Sequence, residues 1–481
     1  MLKSFKNNTF FQNNTFLSYL MEKEQKLQLF AFAFAYLLLF LLLSIIYPYP
    51  AVTADSGNYI LSAKTMTING FRPMGYSWFI YFCHLFSTKI SVIFIGQFLI
   101  NVLAQLNFIF SVKYFFQLHK IAYYIFSFLC ILSPSILFCT NYIMSDSIFN
   151  SLTLLYLTSA LWIIKKPNVL NVTLHLIFLY MVINVRYAAL FYPILSLGVL
   201  LFNFKKHKLY IIASLLPILI SFNIYYNSKA EVNNVYEIDE FSGFSGWAIA
   251  NNAVSMIPYI DLKPEDIKDK EIRFFHQIIT SYPDSIYSHH HINATDFMWR
   301  RAFPGKEILK YTIETQKYSY TKSWIFVGTK LKKYGAFLIK RYPLEYLKHY
   351  LIPNIKQLFY AYEIPEVNEF VSNKLYNQYF NMDINRYKYD YSFLHKLNPI
   401  RKIANPFLWL VFLASVITFF IRRKQFMKEH QNLILLLLLF TMLYTVFSVI
   451  AHPINNFRYL IPIYSIQLVI PCIVLNKLLA K

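Results

Sequence analysis

Asp55 and Asp146 are the only carboxylates between Leu27 and Tyr226, a stretch otherwise built from long Leu, Ile and Phe runs. An ionisable group is costly to keep at the edge of a bilayer, so its presence there points to function first. Asp55 opens Asp55-Ser56-Gly57-Asn58-Tyr59, and the same loop closes on Phe71-Arg72-Pro73-Met74-Gly75-Tyr76, which places an acid and a cation in one short segment. Desolvation at the bilayer edge is expected to raise the pKa of such a carboxylate. Arg72, Arg186 and Arg458 each stand at the end of an apolar run, where a guanidinium can grip a phosphate through paired, charge-assisted hydrogen bonds. His452-Pro453, close to Arg458, is expected on the same side as Asp55. Bland alternatives exist for each: helix capping for the two acids, snorkelling to head groups for the arginines. Function is favoured for Asp55, whereas the two readings stand level for Asp146 and for each arginine taken singly. Gly57, Gly70 and Gly75 fall in the Asp55 loop and point to tight turns or close backbone approach to a ligand.

The elements that position these residues must be membrane helices. A chain of 481 residues that is 57% hydrophobic and 19% aromatic, with 15% charged residues and 10 glycines, is an integral membrane protein of the all-α polytopic class. Apolar runs near spanning length recur at Leu27–Tyr47, Ile90–Val112, Ile121–Cys139, Ile148–Ile164, Val169–Ile183, Ala188–Phe202, Leu209–Tyr226, Ile403–Ile421, Leu433–Ile450 and Tyr459–Leu475, about ten spans. Tyr76–Phe86 is too short to cross and is expected to be re-entrant or interfacial; were it to span, every later orientation would invert.

Basic residues cluster at alternate links. Lys113 with Lys120, Lys165-Lys166, Lys205-Lys206 with Lys208, Arg422-Arg423-Lys424 with Lys428, and Lys477 with Lys481 mark the cytoplasmic side; the other links carry Asp55, Asp146, Arg186 and Arg458. Both termini are therefore expected in the cytoplasm, and both early acids outside it. The first run is read as an uncleaved anchor, because it exceeds a signal-peptide core and Pro48 and Pro50 separate it from the small residues Val52 and Ala54. This divides the chain into a cytoplasmic segment 1–26, a transmembrane body 27–226, an extracytoplasmic domain 227–402 and closing helices 403–481. That domain has scattered prolines and helix patterns at Pro264–Thr280 and Leu344–Tyr362; the second is amphipathic and either lies on the membrane surface or packs on its own domain. Cys83, Cys130, Cys139 and Cys472 lack metal or disulfide spacing and are read as core. The consecutive His289-His290-His291 make a poor metal site, since neighbouring side chains diverge. The net charge of +22 forms no continuous stripe, so membrane lipids rather than nucleic acid are the expected partner.

In order and placement, four elements resemble the GT-C glycosyltransferases of the protein O-mannosyltransferase and aminoarabinose-transferase type. They are Asp55 with Tyr59 in the first outer loop, Arg72-Pro73-Met74-Gly75-Tyr76 in place of a Pro-Pro-Gly-Tyr stretch, Ser145-Asp146 before a span, and Arg458-Tyr459-Leu460-Ile461-Pro462 opening the last. Ser56 stands where the family often has a second acid, and Met74 replaces a proline. The resemblance implies transfer of a sugar from a polyprenyl-phosphate donor to an acceptor hydroxyl on glycan, lipid or protein, with inversion and Asp55 as general base. Asp146 would join it in catalysis, with Tyr59, Arg72, Tyr76, Arg186, His452, Arg458 and Tyr459 binding substrate. A divalent metal shared by Asp55 and Asp146 stays open. A lipid-linked glycan carrier, or a ligase or polymerase using a lipid diphosphate, is the alternative.

Overall fold

The structure, a computed structural model, describes residues 15–48, 50–53, 55–203, 209–288, 296–300, 304–361, 373–381, 396, 398–454 and 456–479. It is 82% helical without strands among the described residues, as an all-α polytopic membrane protein requires. Among the described residues eight helices are long and apolar enough to cross a membrane: Lys23–Ile46, Ser91–Phe116, Lys120–Cys139, Asp146–Lys165, Tyr210–Tyr236, Pro399–Ile421, Lys428–Ala451 and Ile461–Leu479. The two remaining expected spans are shorter, Val169–Val185 and Tyr187–Phe202. The Lys120 helix is interrupted at Leu132 and restarts at Pro134, a residue that fits a first helical turn because it has no N–H to satisfy. The run expected to end at Tyr226 continues as helix to Tyr236. Gly75–Phe86 is a separate helix of 12 residues packed on the Ser91 and Val169 helices.

The two ends of the bundle differ. At one end Lys165 Nζ pairs with Glu429 Oε2 at 2.6 Å, Lys113 Nζ donates to Gln25 and Gln28 at 2.7 Å, and the His119 amide donates to Asn476 Oδ1 at 2.6 Å. Basic span ends thus gather there, as their alternation in sequence predicts. The two acids and three arginines gather at the opposite end. All four cysteines are buried and unpaired, in line with core roles. Lys205, Lys206, Lys208, the His289–His291 triplet and Asn455 lie outside the described residues.

Described residues between Trp247 and Tyr350 build a second core around Trp247 and Trp324. Its main helices, Gly243–Ala253 and Tyr320–Arg341, touch backbone to backbone; a Cβ at Gly246 would stand 1.7 Å from the Gly328 carbonyl. The expected Pro264–Thr280 helix is a short 3-10 turn followed by Lys270–Thr280, which Asp269 starts by accepting from two backbone amides. The expected Leu344 helix spans Pro343–Tyr360 but widens into a π turn at Leu347–Leu351. Pro353 supplies the reason, since it cannot donate to the carbonyl four residues back. The widened turn aims Tyr346, Tyr350, Asn354 and Leu358 inward, leaving Leu347 and Ile355 exposed.

Candidate functional site

A short parallel bridge brings the two acids together. The Ala51 amide donates to the Asn141 carbonyl at 2.7 Å and the Ile143 amide to the Ala51 carbonyl at 2.9 Å, laying the segment before Asp55 beside the segment before Asp146. Ser56 ties this down, its hydroxyl donating to the Ile143 carbonyl at 2.8 Å while accepting from the Thr53 amide at 2.8 Å. The Asn69 side-chain oxygen accepts from the amides of Phe71 and Arg72, folding the loop back so that Arg72 faces Asp55. Gly75 serves helix packing rather than a ligand: a Cβ there would lie 2.5 Å from the Asn184 carbonyl, so glycine lets this helix start rest against the backbone that presents Arg186. Gly70, with φ of +73°, supplies the turn.

Neither acid caps its helix through its side chain. Asp55 Oδ1 accepts from Arg72 Nη2 at 2.6 Å, and Arg458 Nη2 stands 3.6 Å from Asp55 Oδ2. Asp146 Oδ1 accepts from Arg186 Nη1 and, at 3.3 Å, from Arg458 Nε. Arg458 thus bridges the two carboxylates, and none of the three arginines reaches outward as a snorkelling residue would; their side chains are 18–20% exposed. Asp55 is reachable at 20% exposure, while Asp146 at 2% is enclosed. Three guanidinium charges against two carboxylates leave one positive charge uncompensated. Arg72 Nη1 is buried without an acceptor among the described residues.

The aromatic residues expected to touch substrate are mostly supports. Tyr59 lies under the Arg72 guanidinium at 5.2 Å and shares a hydrogen bond with Ser145 at 3.0 Å; Tyr76, fully buried, packs edge-on against Tyr59 and donates to Gln97. His452 packs against Tyr459, whose ring also meets Arg458 at 5.5 Å. Burial, and then the charges of Arg186 and Arg458, push the His452 imidazole down to about 3, so it is neutral at physiological pH.

The expectation of a raised Asp55 pKa is overturned. Burial does push the carboxyl upward, but the charges of Arg72 and Arg458 and the hydrogen bond from Arg72 together outweigh it, holding Asp55 at about 2. An unfolded Asp titrates near 3.9. Asp55 therefore contributes stability that is complete above about pH 4 and is lost as pH falls through about 2. In thermal unfolding between pH 5 and pH 2 the Asp55→Asn protein should lose less stability than the parent; parallel curves would contradict the pairing.

Two asparagines that sequence patterns did not single out hold the turn bearing His452 and Arg458. Asn354 Nδ2 donates to the carbonyls of Val449 and His452 at 2.8 and 3.0 Å while its oxygen accepts from the Ile454 amide at 2.7 Å; Asn252 Nδ2 donates to the carbonyls of Ile450 and Ala451. The available signal was a polar residue in the Tyr346, Tyr350, Leu358 stripe. Asn354→Leu leaves three backbone groups unpaired and should cost roughly 2–4 kcal/mol, read as a lowered Tm in detergent; an unchanged Tm would show that the turn holds itself.

Among the described residues no three metal-ligating side chains converge. Asp55 Oδ1, Asp55 Oδ2 and Asp146 Oδ1 face guanidinium groups, whose charge repels a further cation, so these residues do not fit the divalent metal that the sequence left open. The arrangement suits an anion with a hydroxyl compound beside it. No family model, no curated protein and no solved structure matches this chain.

Proposed function

We propose that this protein is a membrane glycosyltransferase of the GT-C type, moving a sugar from a polyprenyl-phosphate donor to an acceptor hydroxyl on the extracytoplasmic face. The carrying observation is the buried cluster of Arg72, Arg186 and Arg458 around Asp55 and Asp146, whose excess positive charge calls for an anion beside an accessible carboxylate. A cavity of about 730 Å³ adds support. It runs between the Lys120–Ile131, Asn398–Ile421 and Ile461–Leu479 helices, lined mainly by apolar side chains with Asn405, Ser415 and Gln467 among them, from Arg401 and Phe457 at the site end to Thr418 and Leu478 at the basic end. Arg401 to Thr418 along one helix spans roughly 25 Å, close to the depth of a hydrocarbon core. A polyprenyl chain fits this shape, with its phosphate beside Phe457 and Arg458.

In the reaction the acceptor oxygen attacks the anomeric carbon, its proton passes to Asp55, and the bond from anomeric carbon to phosphate oxygen breaks with its electrons on the lipid phosphate. Arg72 and Arg458 hold that developing charge. Phosphate binding also draws the guanidinium charge away from Asp55, so the carboxylate becomes a stronger base only when the donor is in place. Asp146 acts through Arg186 and Arg458, which it positions. Direct displacement inverts the anomeric centre.

A carrier for lipid-linked glycan is favoured by one observation: the side chains of Asn101, Gln105 and Asn150 are buried within spanning helices without hydrogen-bond partners among the described residues. Uncharged amides there suit a polar passage. Purified protein in vesicles with polyprenyl phosphate bearing a radiolabelled sugar separates the two. Label covalently attached to acceptor is the expected result, and label crossing the bilayer still on its lipid would overturn it. A ligase or polymerase reading predicts that lipid diphosphate competes with the donor better than lipid monophosphate.

A further inference from the structure

The segment between the expected membrane bodies carries a column of stacked rings with one face open. Trp247 and Trp324 lie parallel at 4.0 Å and 14°, both fully buried, with the Trp247 indole N–H donating to the Trp324 carbonyl at 2.9 Å. Trp299 continues the stack on Trp324 at 4.9 Å and 18°, and it is 47% exposed. Tyr320 flanks the column, 51% exposed and 6.4 Å from Trp324. Trp299 and Tyr320 thus present exposed ring surface that is backed by a rigid, buried stack.

The rim of the column is polar and directional. Lys306 Nζ lies within 5.4 Å of the centres of Trp299, Tyr320 and Trp324 and donates to the Tyr320 hydroxyl at 2.7 Å. The Trp324 indole N–H finds no acceptor among the described residues, an unused donor within the column. A flat ring bordered by an ammonium and a hydroxyl group matches a pyranose, which offers C–H bonds on its face and hydroxyls on its edge.

The column also connects to the site. Phe71 packs edge-on against Trp324 at 5.7 Å, the Gly243 amide donates to the Gly70 carbonyl at 2.9 Å, and Arg72 is the next residue in the chain. We propose that Trp299 and Tyr320, backed by the Trp324–Trp247 stack, form a carbohydrate-binding platform that holds a sugar residue of a glycan acceptor beside the Asp55 site. The assignment of that sugar as acceptor rests on the transferase reading; the binding itself does not.

The test uses the full-length protein in detergent overlaid on a glycan array of neutral, amino and acidic oligosaccharides, followed by titration of the best binder through tryptophan fluorescence. The parent should bind at least one class saturably. Trp299→Ala should weaken that binding at least tenfold with an unchanged melting profile, Tyr320→Ala should weaken it less, and Asp55→Asn should leave it intact. No binding by the parent to any glycan, or equal binding by Trp299→Ala, overturns the platform; so does a Trp299→Ala protein that binds glycan normally but loses association with anionic vesicles. Glycan binding that persists alongside a failed transfer assay would sink the transferase reading and leave the platform standing.

Discussion

Asp55→Asn should lower sugar transfer by on the order of 10²–10⁴-fold while the protein still folds and holds its donor. The amide matches the carboxylate in size, so the loop from Ser56 to Arg72 keeps its backbone anchors at Ile143 and Asn69. What disappears is the only acid in the cluster that an incoming hydroxyl can reach, since Asp146 is enclosed. The direction of the donor effect is diagnostic. Removing a negative charge beside Arg72 and Arg458 frees both guanidinium groups for phosphate, so donor affinity should be unchanged or tighter while kcat falls. A variant that keeps activity within tenfold of the parent would remove Asp55 as base. A variant that loses donor binding in step with turnover would instead make Asp55 an organiser of the arginines.

The membrane class and the helical body were legible because burying or lipid-facing whole helices requires long apolar runs, and those runs are visible as they stand. Lys165, in one of the basic links, meets Glu429 beside another. The meeting of Asp55 with Arg72 could be read from proximity in sequence. Arg458 was nominated by its place at a span end, and its distance of 312 residues from Asp146 is bridged by packing that no local pattern encodes. One expectation failed for a physical reason. Desolvation alone argues for a raised Asp55 pKa, and the opposite shift follows from how many cations converge, a property of the assembled site. The loop glycines pointed to tight turns or close approach to a ligand: Gly70 supplies the turn, and Gly75 meets the backbone of another helix. Asn354 and Asn252 were missed because an asparagine whose partners are distant carbonyls has no local signature. The Pro343–Tyr360 helix was legible in its apolar pattern, whereas the π turn at Leu347–Leu351 was not.

Arg458→Gln should raise the donor KM about 100-fold, equivalent to roughly 2–3 kcal/mol, and should do so more severely than Arg186→Gln. Arg458 is the one guanidinium that touches both acids, through Nη2 to Asp55 at 3.6 Å and Nε to Asp146 at 3.3 Å. Its removal erases the excess positive charge that recommends the site for phosphate, and it withdraws one of the charges that hold Asp55 low. The sign of the second effect follows: the Asp55 pKa rises in the variant, so the acid limb of kcat/KM moves to higher pH. Arg186→Gln leaves Asp55 paired with both remaining arginines and should shift that limb less. Arg458→Lys separates charge from geometry, because one ammonium cannot make the forked contacts that span two carboxylates. It should restore part of the charge-dependent shift in pH profile while recovering little donor affinity. Should Arg458→Gln lower only the melting temperature, with donor KM and pH profile untouched, the cluster would be an ion-pair network that braces the helix ends, and its surplus charge would have no bearing on a phosphate.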